Sequence, residues 1–194
     1  NTATGAVSVT LDDDDGANAS ATITNNASSG TLSVNSGSFD ANDTIVLAGS
    51  RSISVTAVDN VKITTGASAS TITANSSKKA TIDATNTDDD AVLTIVGAGD
   101  FDITGLKADL TSTANGGVVN VTSIDVADQT IDLGTGTDGS RNVNSTAISD
   151  GRSLTLKGSG AVALSSNNAD ISASTYSGII TASFFNTQDA NYDM

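Results

Sequence analysis

The sequence predicts an all-β fold: a short-stranded parallel β-solenoid of irregular repeats, with antiparallel β-sandwich domains as the alternative. Three observations carry this reading. Apolar and polar residues alternate in short runs, the period of a half-buried strand, and no stretch has a convincing helical period. All 22 acidic residues are Asp, which competes with its own backbone for hydrogen bonds and so favours turns and caps over helix interiors. The third observation is self-similarity at a distance, the mark of stacked repeats.

Composition narrows the architecture. Hydrophobic residues make up 37% of the 194 and aromatic ones only 3%, so a thick globular core is excluded and thin layers of Val, Ile, Leu, Thr and Ala are favoured. A formal charge of −14 repels nucleic acid and anionic membrane and favours cations, whose binding relieves self-repulsion. Cys and His are absent. That excludes disulfides, thiolate metal sites, a Ser-His-Asp triad and the commonest zinc ligand. No apolar run is long enough to span a membrane as a helix, and no basic-plus-apolar leader opens the chain. A start at Asn1 suggests a processed chain or a fragment, either of which would hide a targeting signal.

Residues 1–50 carry their own alternation in "AVSVTL", "SATIT", "GTLSVNS" and "DTIVLAG". They are expected to form an N-terminal β segment or a capping and assembly region. The repeat body is expected over 51–183. Its weakest copy opens at "ISVTAVDNVKIT", Ile53–Thr64, and maps onto Leu93–Thr104 at an offset of 40. The clearest match is "LTIVGAGDFDI" from Leu93 with "LTLKGSGAVAL" from Leu154, at an offset of 61. It continues without a gap, "ADLTSTANGGVV" from Ala108 falling on "ADISASTYSGII" from Ala169. Each unit reads as strand, turn, strand, polar connection, then short strands around Leu110 or Ile171 and around Val119 or Ile180. Between the copies, "SIDVADQTIDLGTGTDG" is expected to insert a further pair of strands carried by Val126, Ile131 and Leu133. Residues 184–194 are a C-terminal tail, read either as a flap over an open end or as a docking edge.

The glycine turns fit either hairpins of a sandwich or corners of a coil. The solenoid is preferred, because sandwich cores use longer strands and larger aromatics, and unequal repeat spacing is tolerated when rungs touch only their neighbours. Leu93–Gly105 is then two consecutive walls joined at a glycine corner.

The runs "AVLTIVGAGDFDITGLKADLTST" and "VTSIDVADQTIDLGTGTDG", in a Thr-, Ala-, Ser-, Gly- and Asp-rich chain without Cys, resemble the β-rich body of bacterial surface-layer proteins. The resemblance is to the type I-secreted, RTX-associated kind, and it covers roughly residues 53–181. It implies a secreted structural module at the cell surface that self-assembles as a homo-oligomeric lattice, with calcium as cofactor and a cell-surface polysaccharide as anchor. An adhesin stalk or an extracellular fibre or flagellin-like subunit is the alternative. The RTX nonapeptide itself is not present: "LGTGTDGSR" keeps Gly134, Gly136 and Asp138 but has Leu133 and Ser140 where the motif needs Gly and an apolar residue.

Calcium takes six to eight oxygen ligands, which clustered Asp and turn carbonyls supply. The candidate ligands are Asp12, Asp13, Asp14 and Asp15 in "DDDDG", Asp88, Asp89 and Asp90 before the Leu93 strand, Asp100 and Asp102 on one outward face, and Asp138. Each cluster also reads as a solvated turn. The first is no EF-hand, since Leu11 and Thr22 stand at ligand positions. Asp40 with Asp43 reads as a turn pair, and Asp109 with Asp170 as a shared turn position. No catalytic residue is assigned. Parallel β-helices do host polysaccharide-cleaving enzymes, the remote alternative, and paired Asp suits that chemistry. However, Arg51, Lys62, Lys107, Arg141 and Arg152 form no cluster with an Asp pair in sequence. Ice binding would need Thr-x-Thr ranks at constant period, and the uneven repeat speaks against it.

Overall fold

The computed structural model describes residues 5–13, 17–27, 29–136, 139–184 and 192–193. Among them there is no helix; the chain forms a parallel β-solenoid of about eight turns. Each rung contributes one strand to each of two facing sheets. The rungs are β1 (Val7–Thr10) with β2 (Ser20–Thr24), β3 (Leu32–Asn35) with β4 (Thr44–Ala48), and β5 (Ile53–Ala57) with β6 (Val61–Thr64). There follow β7 (Ser70–Ala74) with β8 (Lys79–Asp83), β9 (Val92–Gly97) with β10 (Asp100–Leu106), and β11 (Asp109–Ala114) with β12 (Val119–Ser123). After β13 (Gln129–Asp132) and β14 (Arg141–Asn144), the long strands β15 (Ser153–Asn167) and β16 (Asp170–Phe184) each run through both sheets, and β17 (Tyr192–Asp193) lies on β16. Every strand pairs in parallel with its counterpart one rung away, β3 with β5 and β4 with β6 included, so the ladders continue across residues 50 and 51.

Period-2 alternation determines what lies inside. In the second sheet, Ala21, Ile45, Ile63, Ile82, Ile103, Val121, Val143, Leu164 and Ala182 stack in one ladder. In the first sheet the corresponding ladder is Val7, Leu32, Ile53, Ser70, Leu93, Leu110, Ile131 and Leu156. The core between the sheets is one side chain deep from either face, which is why few aromatics suffice. Arg141 lies fully buried between Val119 and Val162. Its guanidinium donates to the carbonyls of Gly117 (2.8 Å) and Ala114 (3.4 Å).

Leu93–Gly105 forms two walls of one rung: β9 pairs with β7 and β11, and β10 with β8 and β12. The 40-residue offset equals two rungs, since Ile53 stacks on Ser70 and Ser70 on Leu93. The 61-residue offset equals three rungs in the second sheet, where Phe101 stacks through Val119 and Arg141 onto Val162, but not in the first. Leu93 stacks through Leu110 and Ile131 onto Leu156, two residues beyond Leu154, because the rung from Ile131 is longer. A slip of two preserves which side chains face inward.

One strand assignment is corrected. The 124–133 segment yields a single strand in this sheet, β13, and Val126 belongs to the preceding loop with 63% exposure. Inward parity from β12 (Val119, Val121, Ser123) carries on to Asp125, which is only 5% exposed, while Ile124 and Val126 point outward. The unequal rung lengths lie in the corners, so they leave the strands in register. Outward from the first sheet, Ser8, Ser33, Ser54, Thr71, Thr94 and Thr111 form a continuous hydroxyl rank.

Candidate functional site

The corners hold most of the carboxylates, and many of these act as acceptors between rungs. Asp100 accepts the Val118 N–H (2.8 Å), Asp109 that of Thr130 (2.7 Å) and Asp128 that of Ser153 (2.8 Å). In each case a carboxylate oxygen substitutes for a backbone carbonyl where the chain turns out of the ladder. Buried Asp43 accepts from Ala19 (2.8 Å) and Asp40 (2.7 Å), and these two backbone bonds hold its carboxyl below the usual range. Other Asp residues close Asx turns at strand ends, as Asp83 does to Thr85, Asp125 to Ala127 and Asp132 to Gly134. Asp therefore replaces Glu throughout because its short side chain reaches backbone groups at a bend.

The candidate ligands are distributed over distant parts of the stack. Asp12 accepts the Ser38 hydroxyl (2.8 Å), and the Asp13 N–H donates to the same oxygen (2.6 Å). Asp14, Asp15 and Asp138 lie outside the described residues. Asp100 and Asp102 flank buried Phe101 as expected. Asp100 is the rung-spanning acceptor just described, and Asp102 pairs with Lys79 (2.9 Å). Asp88, Asp89 and Asp90 occupy the corner between β8 and β9, at the opposite edge from Asp100. The Asp88 N–H donates to the Ala67 carbonyl (3.0 Å), and Asp88 and Asp90 border an open depression of about 360 Å³ beside Arg51. Among the described residues, no group of three or more carboxylates converges to hold a metal.

The electrostatically distinctive place is the corner around Asp89. Only Lys107 and Ala108 connect β10 to β11, and the longer loops 84–91 and 124–128 stand one rung to either side of this short turn. They bring the Asp89 carboxylate against that of Asp125. The Asp125 charge, then burial, then the Asp90 and Asp109 charges push the Asp89 carboxyl above its usual range. Asp125 is 5% exposed; its Oδ1 accepts the Ala127 N–H (3.0 Å), and its Oδ2 is buried with no hydrogen-bond donor. In the same corner, Gln129 directs Nε2 at the carbonyls of Ala108 (2.9 Å) and Lys107 (3.2 Å), which leaves its buried Oε1 equally without a donor. Neither Asp125 nor Gln129 is a candidate by sequence pattern, since alternation in "SIDVA" places Ile124 and Val126 inside and Asp125 outside.

At the other edge, a cleft of about 480 Å³ is lined in part by Gly134, Gly136 and Gly158. Its lining is chiefly Thr and Ser with one carboxylate, Asp132, whose Oδ1 accepts the Gly134 N–H (2.9 Å). A two-carboxylate glycosidase arrangement needs a second acid across the cleft, and none lines it among the described residues. Comparison of the chain with protein-family models, with curated proteins and with solved structures found no match.

Proposed function

We propose that the chain is a structural module of an extracellular assembly, a surface layer built from many copies and stiffened by calcium. The observation that carries this reading is the unbroken aliphatic ladder from Ala21 to Ala182, which makes each rung depend on its neighbours and the whole a rod. The acidic, Cys-free composition and the surface-layer resemblance supply the location and the ion. An adhesin stalk would use the same rod. Sizing and electron microscopy with calcium and with chelator test the proposal: ordered multimers are expected with calcium, and a monomer under both conditions overturns it. Calcium at about a hundred times its Kd adds roughly 2.7 kcal/mol per independent site.

A second reading is favoured by the outward hydroxyl rank. Thr71 and Thr111 are followed two residues later by Thr73 and Thr113, and Ser54 by Thr56, so hydroxyls repeat about 4.8 Å across rungs in the first column and, where Asn35 and Val96 do not interrupt, about 6.6 Å along strands. That grid suits ordered water or ice, and the rung spacing no longer opposes it. The rank runs into charge at Asp132 and Lys157, which confines the grid to the N-terminal rungs. Ice-recrystallisation inhibition lost on Thr71→Lys is the expected result; wild-type protein without inhibition rejects the reading.

A further inference from the structure

Polarity is inverted at the Lys107–Ala108 corner. Asp125 points into the fold while Ile124 and Val126 are 37% and 63% exposed, and neighbouring Val92 is 38% exposed. Burying a carboxylate oxygen without a donor is costly, and the parity inherited from β12 explains the inward direction of Asp125 but leaves the cost at its Oδ2 uncompensated. Two buried groups are without a donor, Asp125 Oδ2 and Gln129 Oε1, both acceptors, and the exposed Asp89 carboxyl meets Asp125. A water supplies hydrogen bonds to two of them but leaves two facing charges. A divalent cation answers both needs.

We propose that Asp89 and Asp125 together hold a hydrated divalent cation of the calcium or magnesium type across this corner, with the Gln129 amide oxygen facing the same ion. Two carboxylates fit the class of site in which a hard cation keeps several of its waters, and an amide oxygen is an accepted ligand. The ion ties loop 84–91 to loop 124–128 over the two-residue turn between them and so clamps the rungs on either side of that turn. This gives the cation of the assembly reading a specific place, and it rests on that reading only for its biological setting.

The test uses the full chain stripped with chelator, titrated calorimetrically with calcium chloride and, separately, magnesium chloride. Wild type and Asp102→Asn, whose carboxylate already has Lys79, are expected to bind one more ion than Asp89→Asn or Asp125→Asn. If Asp125→Asn does not fold, Asp89→Asn decides, since Asp89 is exposed. The proposal is overturned if Asp89→Asn binds as many ions as wild type, or if stripped wild type takes up neither metal. A metal-free arm reads the same pair. A carboxyl whose folded pKa is raised contributes stability below its unfolded value near 3.8 and loses it as pH rises through the raised value. Asp89→Asn is therefore expected to exceed wild type in urea midpoint at neutral pH, with the difference vanishing as pH falls through that window. A pH-independent difference contradicts the pairing. Asp89→Asn protein that loses the ion yet still forms multimers separates this site from the assembly reading.

Discussion

Phe101→Ala is expected to lower unfolding stability by about 3–5 kcal/mol, the range for deleting a fully buried aromatic side chain. Phe101 is 0% exposed, and its ladder neighbours are Ala80 on one side and Val119 on the other. The small side chain of Ala80 makes the space the ring fills, so truncation leaves two adjacent small residues in one column. The surrounding ladders cannot collapse into that gap, because the backbone spacing of the rungs is held by hydrogen bonds at about 4.8 Å. Position amplifies the loss. β10 lies in the middle of a stack whose cohesion is a sum of nearest-neighbour interfaces, and a gap there weakens the rung on both sides. Urea unfolding measures it, with Ile23→Ala as comparison: Ile23 is half-buried in the first rung, and its loss touches one interface. A Phe101→Ala cost no greater than that of Ile23→Ala would contradict the neighbour-coupled stack.

The same ladders explain what the sequence disclosed. Alternation in β9 and β10 identifies Leu93, Ile95, Phe101 and Ile103 as inward, and all four are fully buried. The repeat at 40 residues is a true two-rung step in both sheets, from Ile53 through Ser70 to Leu93 and from Val61 through Ala80 to Phe101. The repeat at 61 residues is a three-rung step in the second sheet, from Ile103 through Val121 and Val143 to Leu164, and slips by two in the first, since corner length varies while the strands stay in register. Asp125 was illegible for a related reason: its inward position is inherited from β12 rather than from its own apolar neighbours. The acceptor roles of Asp100, Asp109 and Asp128 were also hidden, because each partner lies 18 to 25 residues away, and only the stack brings them together. Local pattern therefore specifies the walls, and the chemistry of the corners depends on contacts between rungs.

Gly97→Ala tests the corner itself and is expected to cost about 2–5 kcal/mol. Two separate penalties combine. Gly97 has φ of +103°, where a side chain adds strain of about 1–3 kcal/mol. An added Cβ would also lie 2.4 Å from the Ala74 carbonyl oxygen of the rung beside it, and overpacking against a fixed neighbour costs about 1–3 kcal/mol more. That oxygen cannot easily retreat, for it accepts the Gly99 N–H (3.2 Å), while the Gly97 carbonyl accepts the Asn115 N–H (3.0 Å) from the following rung. Gly151→Ala separates the two effects: its φ is +74° but nothing lies within 4 Å of the new Cβ, so only about 1–2 kcal/mol of backbone strain is expected. Denaturant midpoints of the two variants decide the matter. Equal losses would mean that glycine serves this corner only by its conformational freedom; a larger loss at Gly97 shows that the rungs approach too closely there for any side chain, which is how a turn of two residues can join sheets packed one side chain deep.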